Sequence, residues 1–161
     1  MRPSDTPALV AATELVGRLL LAFLFLHEAW SKLSAFGAAG AYMEAYGVPA
    51  LLLPLALAVE LGAGLMIAFG YATRLAALAL AGFCLLAALV FHTGFGERNQ
   101  LLHFEKDLAL AGAFLILAAR GAGAFSLDAL WSSAQKRHHR AETPDLSRAG
   151  DKSASSLRRK A

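Results

Sequence analysis

LLLAFLFLHEAWSKL, residues 19–33, places His27, Glu28, Ser31 and Lys32 within two helical turns of an unbroken apolar run. At 1.5 Å per residue the run Leu19 to Leu26 covers only about 12 Å of helix, whereas the hydrocarbon core of a bilayer is about 30 Å thick. If this segment crosses a membrane, Arg18 at one end and His27, Glu28 and Lys32 at the other must lie at or inside the boundary. The whole question of class and function grows from that conflict.

The composition says which solvent the helix meets. The chain has 161 residues, 57% of them hydrophobic and 17% charged, and its mean hydropathy is +0.52. One domain of this size cannot hide so much apolar surface against itself without leaving a greasy exterior, so lipid is the expected surroundings. Four stretches approach the roughly 20 residues needed to span it: about Leu15 to Leu33, Ala50 to Phe69, Leu75 to His92, and Glu105 to Arg120. The links YGVP, FGYATR, HTGFGERN and RGAGAF put Gly or Pro where helices stop. Short links between long helices favour antiparallel neighbours, and sustained strand-type alternation is absent. The expected fold is all-α, a four-helix transmembrane bundle formed by residues 1–130. The outer connections carry Phe36, Tyr42, Tyr46, Phe95 and Phe104, which suit short caps lying along the interface.

From Ser126 onward charges accumulate and apolar residues thin out. The reading is a disordered basic cytoplasmic tail over residues 131–161, drawn to anionic headgroups, with Trp131 as an interfacial anchor. Basic residues near span ends set orientation: Arg2, Arg18, Arg74, Arg120, Lys136 and Arg137 on one side outnumber Lys32, Arg98 and Lys106 on the other. Both termini are therefore expected in the cytoplasm, in a multi-pass membrane protein. The first span has no convincing cleavage site after it, so it is expected to be retained. Cys84 is the single cysteine, which excludes an internal disulfide and dithiol exchange; it reads as a small packing residue. No flavin or nicotinamide fingerprint is present, and no nucleic-acid partner is expected.

Charges at bilayer depth cost at least about 2.5 to 3.5 kcal/mol each on insertion scales, and they usually face a bundle interior in pairs. With the N-terminus inside, Glu28, Lys32, Glu60, His92, Lys106 and Asp107 converge on one cavity in the outer half. Glu28 and Lys32 stand at i,i+4 on one helix face. His27 lies about 100° further round and points elsewhere. Glu60, near mid-span with no cation on its own helix, needs Lys106 or Lys32 from across the bundle. Arg18 and Arg74 belong to the opposite side, where Arg18 pairs with Glu14 and snorkels. The cluster reads either as ion pairs that lock the bundle or as a site for a polar head group and protons, with Glu60 and His92 in the catalytic roles and Glu28, Lys32, Lys106 and Asp107 binding substrate. No Glu-x-x-His pair occurs on a span, so no metal is expected.

GRLLLAFLFLHEAWSKL, YGVP, VELGAGLMIAFGYATR, FHTGFGERNQLLHFEKDLALAGAFLILA and GAGAFSLD follow one another in an order that resembles the DoxX family of small bacterial membrane proteins, over about Gly17 to Leu130. The resemblance implies four membrane helices, a place in the bacterial inner membrane and a redox connection, through a subunit of a thiosulfate:quinone oxidoreductase and through thiol and oxidative-stress systems. Its landmarks fall on Lys32, Glu60, His92 and Lys106; Asp107 stands where the family commonly has Asn. The expected function is an accessory subunit supporting redox or thiol homeostasis, with a quinone head group as the candidate ligand and a soluble redox enzyme or another membrane subunit, in an oligomer or not, as candidate partner. The alternatives are a small transporter or permeability factor, and a scaffold recruiting soluble enzymes.

Overall fold

The computed structural model describes residues 6–142, all helical apart from turns and loops. Six α-helices follow in order: α1 Thr6–Ser34, α2 Phe36–Ala45, α3 Leu53–Phe69, α4 Thr73–Phe91, α5 Arg98–Arg120 and α6 Leu127–Glu142, with one 3-10 turn at Ala50–Leu52 leading into α3. The described residues divide into two compact units, the first ending at Ala129 and the second beginning at Leu130. Among the described residues, three helical stretches are long and apolar enough to cross a membrane: Pro7–Ser34, Ala50–Phe69 and Thr73–Phe91. α5 is as long, but its first half carries too many charges to qualify by composition.

Within the first unit α1 packs on α3, α3 on α4 and α4 on α5. One core draws on all four, with Phe25 of α1, Ile67 of α3, Leu80 of α4 and Phe114 of α5 among its buried members. Alanine supplies much of the rest, which lets helix axes approach closely. A second cluster, Ala29, Met43, Leu53 and Leu57, ties α2 to α1 and α3. Tyr42 stacks on Phe91 and Tyr46 meets it edge-on, at 5.8 and 5.5 Å between centroids, so α2 closes over the end of α4. Large apolar side chains such as Phe23, Leu65, Leu75, Leu89 and Ile116 point outward, the reverse of a water-soluble helical protein and the surface that lipid requires.

The helix ends follow local chemistry. Gly70 takes a left-handed conformation (φ 66°) after α3, and Tyr71 N–H reaches back to the carbonyl of Met66, a Schellman closure in which glycine avoids the Cβ penalty. Three expectations shift. α1 begins nine residues ahead of Leu15, because Pro7 suits a first turn and the apolar residues before Glu14 continue the helix. α5 begins at Arg98, seven residues before Glu105, and so absorbs half of the connection expected to lie along the interface. The tail is not disordered from its start: α6 runs to Glu142, opened by Ser126 Oγ, which accepts from Ala129 N–H at 3.1 Å as an N-cap does. The remainder of the tail, residues 143–161, lies outside the described residues.

Candidate functional site

Helical spacing builds the site. On α1 Phe25, Glu28 and Lys32 share a face; on α3 Leu53, Ala56 and Glu60; on α4 Cys84, Ala87 and Phe91; and on α5 Gln100, His103, Asp107 and Leu110, each step being three or four residues. These faces enclose a cavity of about 830 Å³, within the usual range for small-molecule sites. The six residues named from the sequence, Glu28, Lys32, Glu60, His92, Lys106 and Asp107, all line it. His27 does not; it is exposed and stacks on Phe23 at 5.9 Å, as its angular offset from Glu28 requires.

Lys32 is the centre of the charge cluster. Its Nζ donates to Glu60 Oε1 at 2.7 Å and stands 3.5 Å from Glu28 Oε2. One ammonium thus serves two carboxylates, and the cation that Glu60 needs comes from α1. The pairing expected inside α1 is the looser of the two. Glu60 is 2% exposed, and its other oxygen, Oε2, is buried with no hydrogen-bond partner among the described residues.

A second polar string crosses the rim. Gln100 Nε2 donates to Tyr46 Oη at 3.1 Å, which turns Gln100 Oε1 toward His92 Nδ1 at 2.9 Å. In this arrangement Nδ1 carries the hydrogen, and the free ring nitrogen Nε2 faces Asp107 Oδ2 at 3.8 Å. His92 also stacks on His103 at 5.0 Å, and His103 Nδ1 lies 3.3 Å from Lys106 Nζ. Gln100 was not named from the sequence, and Tyr46 was named only as an interface residue; the signal for Gln100 is its register, since it precedes His103 and Asp107 by one and two turns once α5 is started at Arg98. Among the described residues, no three His, Cys, Asp or Glu side chains converge as a metal centre needs.

The lining reaches the outer surface on α3 and α4. Leu55 and Leu86 both belong to it and are both 62% exposed on the outer surface. The walls below are mostly apolar and aromatic, with Phe25, Phe83 and Phe91 among them.

At the opposite end Arg18 departs from the sequence reading. It does not snorkel: it is 2% exposed, and its Nη2 donates to the carbonyl of Phe125, beneath the loop that follows α5. Glu14 instead stands 4.0 Å from Arg120. Asp128 completes this end by accepting from Ala72 N–H at 2.8 Å and Thr73 N–H at 3.0 Å, so the first turn of α4 is capped by the start of α6. Burial works against the Asp128 carboxylate, but the N–H donors of Thr73 and Ala72 and the nearby Arg18 outweigh it and hold it below the ordinary carboxylate range.

Comparison with known proteins agrees with the fold. The family model described as DoxX matches residues 13–93, from α1 to the end of α4. The chain is 47% identical over 116 residues to inner membrane protein YqjF of Escherichia coli (strain K12), an alignment covering 72% of this chain and 89% of that protein. It is 32% identical over 121 residues to inner membrane protein YphA of the same organism, covering 71% and 86%. No solved structure matches it significantly. With lipid-facing helices, a family match over half its length and two inner-membrane relatives aligned over most of theirs, the chain belongs to the DoxX family of membrane proteins.

Proposed function

We propose that this protein is an accessory membrane subunit of a redox or thiol-homeostasis system, and that it holds a lipid-soluble ligand of the quinone type by its head group in the polar cavity. In this reading α1, α3, α4 and α5 all traverse the bilayer, with both chain ends in the cytoplasm and the cavity in the outer half. The observation that carries it is Glu60: a buried carboxylate in the lining of a mostly apolar cavity, a lining that reaches the lipid-facing surface. A ring fits between the aromatic walls, and a tail leaves by a mouth at Leu55 and Leu86. Glu60, Lys32 and Lys106 orient the head, and the His92–Asp107 couple at the rim exchanges protons with water.

A transporter would need the polar path to continue to the far end. Ile67, Leu80 and Phe114, none of which lines the cavity, are packed in the core between the same helices, which favours a blind site over a conduit. A scaffold would act through the tail and would not need the cavity.

Mass spectrometry of a solvent extract of the purified protein tests the proposal. A quinone or quinol retained in near-stoichiometric amount by wild type, and lost in Leu55→Trp with the fold intact by circular dichroism, is the expected result. An extract holding only bulk phospholipid would overturn it.

A further inference from the structure

The polar wall of the cavity is not neutral in hydrogen-bonding character, and its bias narrows the ligand. Three acidic side chains, Glu28, Glu60 and Asp107, face two basic ones, Lys32 and Lys106, so acids outnumber amines in the lining and nothing there favours an anionic head. Glu60 adds direction to this bias. Lys32 Nζ has only donors, so it fixes Oε1 as an acceptor, and Oε2, on a residue that lines the cavity, stays buried with nothing donating to it among the described residues. A buried acceptor left unsatisfied is costly, and a hydrogen bond to a charged group is stronger than a neutral one. That oxygen therefore calls for a ligand that donates. Phe25, Phe83 and Phe91 along the walls suit a flat ring, and the lipid-facing mouth suits an apolar chain attached to it.

We infer that the cavity selects an uncharged, hydroxylated aromatic head bearing an apolar tail, with a phenolic O–H donating to Glu60 Oε2, and that it therefore binds the dihydroxy form of a quinone couple in preference to the dione. This rests on the ligand-binding reading above and sharpens it. The dione has only acceptors, so its carbonyl would meet Oε2 lone pair to lone pair. Lys106, exposed at the rim with spare N–H donors, reaches the second oxygen in either form and does not discriminate.

The test uses the full chain in lipid nanodiscs under nitrogen and three probes: a hydroquinone carrying a decyl chain, the matching benzoquinone, and the dimethyl ether of the hydroquinone, which keeps ring and tail but has no O–H. Ligand retained per protein, measured against protein-free discs, gives the affinities. The expected result is hydroquinone at least about 10-fold tighter than either other probe, the scale of one hydrogen bond to a charged group. In Glu60→Gln the amide oxygen turns to Lys32 and its NH2 to the cavity, so the order should reverse in favour of the benzoquinone. The ether comparison stands on wild type alone and does not depend on that variant folding. Equal retention of all three probes would overturn donor selection while leaving the binding site in place; retention of none above protein-free discs would overturn both.

Discussion

Glu60 and Arg18 are equally buried, yet only one of them could be read as such in the sequence. Glu60 declares itself by depth, since an acid near the middle of a 17-residue apolar helix has nowhere polar to go. Arg18 is set by angle. It lies on the stripe Ala11, Arg18, Ala22, Phe25 and Ala29, the buried face of α1, whose steps of seven, four, three and four point one way. Proximity to a span end suggests snorkelling; the stripe decides against it, because a side chain on the packed face has no free path to water. Its place among Gly70 and Ser126 also depends on a loop more than 100 residues away, a contact no local pattern encodes. Asp128, joined to the same end, gives a residue-scale prediction. Its folded-state value lies below the ordinary one, so its stabilising effect is fully present above about pH 4 and is lost as pH falls through the lowered value. Asp128→Asn should cost about 1 kcal/mol at pH 7, as a lost helix cap does, and the gap to wild type should close in acid. Thermal unfolding in detergent at pH 7 and near pH 3 reads both; a gap that widens in acid would contradict the assignment.

At the scale of elements, apolar runs gave the second and third spans within two residues, where Gly70 separates them. They missed the starts of α1 and α5 and the whole of α6. Arg98 to Phe104 reads as a loop because Arg, Asn, Gln and His interrupt the hydropathy, but Arg, Gln and Leu are good helix formers and α4 offers this helix a wall to pack on. Ser126 to Glu142 reads as tail for the same reason. The cost of the first misreading was Gln100, which orients His92. The convergence of Glu28, Lys32, Glu60, His92, Lys106 and Asp107 was legible, since membrane depth alone sorts them; which of them touch was not, because Lys32 can reach either acid and only geometry selects. The α3–α4 mouth carries the second prediction. Leu86→Trp should narrow it without disturbing the core, because Leu86 is largely exposed. Uptake of the decyl hydroquinone into the protein should slow at least several-fold with the melting temperature unchanged to within a few degrees, by stopped-flow and thermal unfolding. Unchanged uptake would place the route elsewhere.

For the whole molecule, hydropathy places it in a membrane, and the distribution of basic residues gives an orientation to test. In a Cys84→Ala background, a single cysteine at Arg98 should react with a membrane-impermeant thiol reagent in intact cells, and one at Ser133 should react only after lysis. The opposite pattern would put the cavity at the cytoplasmic face and send any proton exchange at His92 to that side. The sideways mouth at Leu55 and Leu86 has a consequence for any measurement of affinity. A ligand arriving there comes from the bilayer and keeps its tail in hydrocarbon throughout, so the concentration that governs occupancy is its mole fraction among lipids, not its molarity in buffer. Diluting a vesicle suspension with buffer should leave the bound ligand in place, whereas adding plain vesicles at constant total volume should strip it, and apparent dissociation constants taken at different lipid-to-protein ratios should collapse onto one curve only when plotted per lipid.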